Sequence, residues 1–230
     1  MQRQNIENEG KSPEQTPYHG CKMKWQTFPS NTQEVIVEFG DVKSKYIVEQ
    51  LGCRLANFFR RTQKHRTRLI KNALAKLGDS QLPGKPHYKV YANGLSAGLR
   101  TSDGHKFIPR EWLYDIHWYT DINGCDYQPE TLSLVVECEW ESKRRDDKKI
   151  SHSGIKYDFQ KLLVANADLR LMIFLKRKHD KIRDFDNYFD SAIESYLNLK
   201  EGKFLFIAYD KELLGFHYAE KFKVKREVSG

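Results

Sequence analysis

What this chain has little of narrows it first. Only four cysteines occur in 230 residues: Cys21, Cys53, Cys125 and Cys138. They form no CxxC pair and keep no Cys/His spacing suited to zinc. A secreted disulfide scaffold would be far denser in cysteine. The four are therefore read as reduced thiols, with Cys138 buried beside a site. No apolar run approaches the roughly 20 residues that a membrane-crossing helix needs. The N-terminal stretch MQRQNIENEGKSPEQTP is polar throughout and carries no signal-peptide pattern. The expectation is a cytoplasmic protein with no membrane partner. The chain also lacks a GxxxxGK[ST] phosphate loop and an HExxH pair. Those absences argue against a nucleoside triphosphatase and a zinc protease. Internal repeats and low-complexity tracts are missing too.

What is present is basic and well supplied with apolar residues. Lys and Arg number 39 against 31 Asp and Glu, a net charge of +8. A surplus of that size favours a polyanionic partner, nucleic acid or an anionic membrane surface, although a merely solvated basic surface gives the same number. With 39% hydrophobic and 13% aromatic residues, the chain can bury a core.

The pattern divides into a polar tail over 1–17, an N-terminal helical and strand elaboration over 18–100, and a core over 101–230. QEVIVEF, at 33–39, reads as a strand. A long helix is expected from Arg54 to Leu77. Its Leu55, Phe58, Phe59, Leu69, Ile70, Ala73, Leu74 and Leu77 recur at helical spacing, and Gly78 would end it. Its outer face carries Arg60, Arg61, Lys64, Arg66, Arg68 and Lys71. Such a face is either solvated or rests on phosphates. Residues 81–104 are rich in Gly, Pro and Ser and read as loop or short hairpin.

Beyond Gly104 the reading is a strand over 111–119, a turn over 120–130 and a strongly apolar strand over 132–139 that ends in acids. A charged loop (143–149), a helix (157–165), a continuous apolar strand (169–175), a helix (186–199), a strand (203–208) and an edge strand (213–218) complete it. That order gives an α/β fold, a mixed sheet flanked by helices.

Side chains alternate along a strand, so Glu137 and Glu139 share a face, with Val136 and Cys138 on the other. Asp115 closes an apolar stretch on the preceding strand. If the two strands are hairpin neighbours, three carboxylates converge. They would repel one another strongly unless a divalent cation neutralised them. Oxygen ligands favour Mg²⁺ or Mn²⁺ over zinc. The plain alternative is a solvated strand edge. His117 is either a neighbour of this site or a packed histidine. Trp112, Trp118 and Trp140 are expected in the core rather than stacked on bases.

The order Asp115, Glu137-Cys138-Glu139, a helix and a further apolar strand resembles the PD-(D/E)XK (restriction-endonuclease-like) phosphodiesterase superfamily. The run ECEWE…YDFQKLLVANADLRLMIF is similar to an uncharacterised bacterial branch of it. The resemblance spans roughly 105–210 and leaves the first hundred residues unexplained. It implies a core of strand hairpin, helix and strand, and Mg²⁺- or Mn²⁺-dependent hydrolysis of phosphodiester bonds in nucleic acid, with DNA the expected substrate. Asp115 would match the first metal-binding acid and Glu137 the acid of the (D/E)XK motif. Glu139 stands where the superfamily usually has lysine. This departure puts catalysis in question. Lys161, on the following helix and on one face with Asp158, is the candidate relocated lysine, or else simply Asp158's salt-bridge partner. Lys143, Arg144 and Arg145, with Lys176, Arg177 and Lys178, would flank the site and hold the backbone. The alternative is a nuclease fold that binds nucleic acid or a protein partner without cutting. A homodimer or larger assembly stays open.

Overall fold

The computed structural model describes residues 23–28, 39–53, 58–80, 82, 88–100, 107–108, 112–122, 128–141 and 149–224. The polar tail, the expected strand up to residue 38, and Lys143, Arg144 and Arg145 lie outside the described residues.

The elements run β1 (Gln26–Phe28), α1 (Val42–Gly52), α2 (Gln63–Ser80), β2 (Lys89–Ala92), α3 (Ala97–Arg100), β3 (Phe107–Ile108), β4 (Ile116–Asp121) and β5 (Pro129–Glu139). Then come α4 (Ser153–Val164), β6 (Leu169–Lys176), α5 (Ile182–Ser195), β7 (Gly202–Asp210) and β8 (Gly215–Lys223). The strands form one eight-stranded sheet in the order β1-β8-β7-β6-β5-β4-β2-β3. β5, β6 and β7 are parallel, while β4 pairs antiparallel with β5 and β8 antiparallel with β7. The fold is α/β with a mixed sheet.

The centre of the sheet is the most apolar part of the sequence. In β6, LRLMIFLK, every residue but the last is buried, as a parallel strand covered on both faces requires. The chain steps from β5 through α4 to β6, then through α5 to β7. Two such crossovers of one hand, moving in one direction, put both helices on the same face. There Phe159, Phe189 and Phe206 meet Val135, Met172 and Phe174. The opposite face packs Ile47, Leu51, Ile70 and Leu74 of α1 and α2 against Trp118, Val136, Leu171 and Ile207. The result is three layers with the sheet in the middle.

Two cations close the helix ends. Arg170, itself buried, donates through Nε to Leu162 O at 3.1 Å, through Nη2 to Ala165 O at 2.6 Å and through Nη1 to Ala167 O at 2.9 Å. It thereby satisfies the open carbonyls past α4. Lys223 Nζ does the same for α5, reaching Ile193 O at 2.7 Å and Tyr196 O at 3.1 Å.

Four expectations need correction. The helix expected over 54–77 is not continuous: a short 3₁₀ turn at Phe58–Arg60 precedes α2, which starts at Gln63. α2 also runs through Gly78 to Ser80. Gly78 is there for space, since a Cβ on it would sit 2.8 Å from the indole of Trp118. Finally, β8 is no edge strand, because β1 pairs along its outer side. Residues 89–92 and 97–100, expected in loop or hairpin, form β2 and α3.

Candidate functional site

The acids gather where the β4–β5 hairpin opens. Ile116, the first residue of β4, lies opposite Val136. Asp115 therefore sits in the bend just before β4 and not within a strand, as the sequence reading had it. Freed from the ladder, its carboxylate turns onto the neighbouring strand, where Oδ2 accepts the Cys138 N–H at 2.9 Å. Its other oxygen, Oδ1, is 3.1 Å from Lys71 Nζ of α2. α2 is held over the end of β5 by Trp140, whose indole Nε1–H donates to Thr67 Oγ1 at 2.8 Å.

Glu137 is two links further into the core, 3% exposed, on the face that α4 covers. Lys161 of α4 reaches it: Nζ is 3.1 Å from Glu137 Oε2 and 2.8 Å from Asp158 Oδ1. The two readings of Lys161 are thus both realised in one geometry, with the ammonium shared between the strand acid and the helix acid. Glu137 Oε1 has no hydrogen-bond partner among the described residues.

Glu139, on the same face, takes a different position. Its Oε1 accepts the Glu141 N–H at 2.6 Å. Its Oε2 lies against the first turn of α4, so close that a Cβ on Gly154 would come within 2.9 Å of it. A carboxylate there suits the positive end of a helix.

Electrostatics follow from burial and count. Asp115, Glu137, Glu139 and Asp158 face two ammonium groups, Lys71 and Lys161. Burial, and then the charges of Asp115 and Asp158, push the Glu137 carboxyl up to about 9, against the opposing pull of Lys161. Burial likewise raises Glu139 above the ordinary carboxylate range. For Lys161, burial alone would favour the neutral amine. The hydrogen bond to Asp158 and the charges of Glu137 and Asp158 outweigh it and push the ammonium up. The direction we adopt for the pair is a charged Lys161 beside a Glu137 that holds its proton at neutral pH. Burial, and then Asp115, keep the Cys138 thiol well above its usual value. Cys138 contributes its backbone here rather than a nucleophile.

Among the described residues, no three His, Cys, Asp or Glu side chains are arranged as they stand to hold a metal ion. Lys71 and Lys161 occupy carboxylate oxygens that the sequence reading gave to a cation.

The structure sorts the remaining candidates. Arg60, Arg61, Lys64 and Arg68 are exposed, as expected. Arg66 and Lys71 are not on that outer face: Arg66 is buried with its guanidinium 5.8 Å above the Phe58 ring, and Lys71 points to Asp115. Lys71 is the residue that sequence reasoning missed. The signal was available, because Lys71 shares a helical stripe with Thr67, Leu74, Ala75 and Gly78, all of which face the sheet. Lys176 is paired with Asp210 at 2.8 Å and Lys178 with Glu212 at 3.6 Å, which leaves less of that basic run for phosphate. His117 is 1% exposed and stacks on Tyr91 at 4.7 Å between ring centroids. It is a packed strand histidine, whose ring burial lowers to about 4. Trp118 and Trp140 are core residues, but Trp112 is 72% exposed and does not belong to the core where it was expected.

No protein-family model matches this chain, and no curated protein or solved structure matches it. No helix among the described residues is long and apolar enough to cross a membrane.

Proposed function

We propose that the chain is a metal-dependent nuclease with a restriction-endonuclease-like core, whose site is formed by Asp115, Glu137, Glu139 and Lys161. The observation that carries this reading is the buried Glu137 carboxyl, which keeps one oxygen without a partner while Lys161 holds the other at 3.1 Å. A buried polar atom left open costs free energy unless something meets it. The sequence of parts also supports it. The β4–β5 hairpin, α4 and the parallel β6 follow one another in the order that the resemblance requires.

The residues fit Mg²⁺ or Mn²⁺. The donor set is all carboxylate oxygen, which suits a hard divalent cation. Two positive charges would also balance four acids against two ammoniums. Asp115 and Glu137 would hold it, with Glu139 as the third acid. When bound, such an ion supplies charge neutralisation at a phosphate and a more acidic water. Lys161, already beside Glu137, stabilises negative charge that develops at phosphorus. Lys71 fixes the Asp115 carboxylate. The exposed Arg60, Arg61, Lys64 and Arg68 sit on and before the helix that carries Lys71 and offer phosphate contacts on its outer side. The substrate class is nucleic acid, with DNA as the expected form.

A second reading is favoured by the lysines themselves. With Asp115 and Glu137 each paired to an ammonium, the same fold would bind nucleic acid or a protein partner and not cut. One experiment separates the two. Supercoiled plasmid, single-stranded DNA and RNA are incubated with the chain in Mg²⁺ or Mn²⁺, beside Asp115→Asn, Glu137→Gln and Lys161→Met. Cleavage that needs the metal and falls at least about 100-fold in each variant supports the nuclease. Retarded migration without cleavage in the wild type supports the binding reading.

A further inference from the structure

Next to the acidic site, the loops that lead into α4 and α5 combine a nucleophile, a base and an acid in one line. Ser151 and His152 lie immediately before α4, and Asp180 lies between β6 and α5. Ser151 Oγ is 2.8 Å from His152 Nδ1, and His152 Nε2 is 3.0 Å from Asp180 Oδ1. One tautomer satisfies both contacts: the Ser151 hydroxyl donates to Nδ1, and Nε2–H donates to Asp180. That is the tautomer a general base needs. The three side chains have the exposures that their roles require. Ser151 is open to solvent, while the His152 ring and the Asp180 carboxylate are 16% and 14% exposed.

His152 and Asp180 are each fixed from outside the trio. Asp180 Oδ2 accepts the Arg177 N–H at 2.8 Å. The His152 ring packs edge-on against Phe185, with centroids 4.6 Å apart. The His152 backbone is left-handed, with φ of 57°, a conformation that non-glycine residues hold only when their surroundings impose it. Ser151 and His152 also open onto a cavity of about 270 Å³, lined further by Ile155, Phe185, Tyr188, Lys156 and Asp184. Its lining mixes the apolar Ile155 and Phe185 with the charged Lys156 and Asp184. The Lys156 ammonium is held 5.1 Å above the Tyr188 ring.

We propose that Ser151, His152 and Asp180 form a second reactive centre, which hydrolyses short-chain carboxylic esters seated in this cavity. It shares no residue with the acidic site and does not depend on the nuclease reading. Ser151 Oγ attacks the ester carbonyl carbon while its proton passes to His152 Nδ1. Asp180 holds the resulting imidazolium through Nε2–H. The tetrahedral intermediate collapses, the carbon–alkoxy bond breaks, and the alcohol leaves with the proton from Nδ1. Water then attacks the acyl-serine by the same route, giving its proton to Nδ1. That proton returns to Ser151 as the acid departs. Lys156 supplies positive charge for the oxyanion. The cavity lies at the lower end of the sizes that hold small-molecule ligands, about 300 Å³ and above, and so favours a small ester over a long-chain one.

The test treats the full chain with a fluorophosphonate probe and maps the labelled peptide by mass spectrometry. Turnover of p-nitrophenyl butyrate is followed in parallel. The expected result is one phosphonyl group on Ser151, and ester hydrolysis lost in Ser151→Ala. Asp180→Asn should slow labelling by about 10²- to 10⁴-fold, the range for an impaired general base, with an unchanged circular dichroism spectrum. Glu137→Gln with EDTA should leave labelling intact. A wild type that leaves Ser151 unlabelled by excess probe, or ester turnover equal in wild type and Ser151→Ala, overturns the proposal.

Discussion

Glu137 makes the metal-free chain respond to pH in a way that can be worked out in advance. Its folded carboxyl is raised from 4.5 to about 9 by burial and by Asp115 and Asp158. A raised acid binds its proton more tightly in the folded state. Its contribution to stability is therefore complete below about pH 4.5 and is lost as pH climbs through 9. Lys161, also raised, keeps its contribution until well above pH 10, so above pH 6.5, where His117 has ceased to titrate, the fall comes from Glu137 and, with the same sign, from Glu139. One proton is worth up to about 1.4 kcal/mol per pH unit. From pH 6 to 9 the chain should lose about 3–4 kcal/mol, or some 6–16 °C in Tm for a domain of this size. Lys161→Met removes the ammonium, 3.1 Å from Glu137 Oε2, that opposes the rise of this carboxyl. The slope is already limited to one proton, so it should stay the same through the neutral range and persist up to pH 9, where the wild-type profile begins to level off. Glu137→Gln should flatten the profile, alone and in the double variant. Thermal melts followed by circular dichroism in EDTA, for all four proteins from pH 5.5 to 9, provide the check. Parallel profiles for wild type and Glu137→Gln would falsify the reasoning.

Three further outcomes follow from packing. Arg170→Lys should destabilise by about 2–4 kcal/mol in urea denaturation, because a single ammonium cannot reach the carbonyls of Leu162, Ala165 and Ala167 together; a loss under about 0.5 kcal/mol would refute the capping role. Gly78→Ala gains about 1 kcal/mol of helix propensity but forces a methyl into the Trp118 indole at 2.8 Å. We expect a net loss of about 1–2 kcal/mol, and a more stable variant would show that the indole can move. His117 is lowered by burial to about 4, so its contribution is present above about pH 6.5 and lost as pH falls through 4. His117→Leu should melt with a shallower acid limb between pH 6.5 and 4, and an unchanged limb would place a proton acceptor on the ring.

Residues close together in sequence wrote their own part of the answer. Strict alternation put Glu137 and Glu139 on one face of β5, and unbroken apolar runs marked β6 and β7 as interior strands. The spacing of Asp158 and Lys161 placed both on one helical face, and they do meet at 2.8 Å. The α/β class followed from the alternation of such segments. Local periodicity carried this information because strands and helices impose it on neighbours two, three or four residues apart. It does not reach across the chain. That Lys71 meets Asp115, 44 positions on, depends on how α2 lies against the sheet, which Gly78 and Trp118 set by contact. Asp115 read as a strand residue because its neighbours are apolar, yet the ladder begins one residue later. β8 read as an edge until β1, almost 200 residues earlier, was found paired along it. Ser151 adjoins His152 in the chain, but only the side-by-side placement of the loops before α4 and α5 brings Asp180 to it. Sequence set which residues could share a face. Tertiary packing decided which charges met, because an ion pair forms wherever two surfaces close, whatever the length of chain between them.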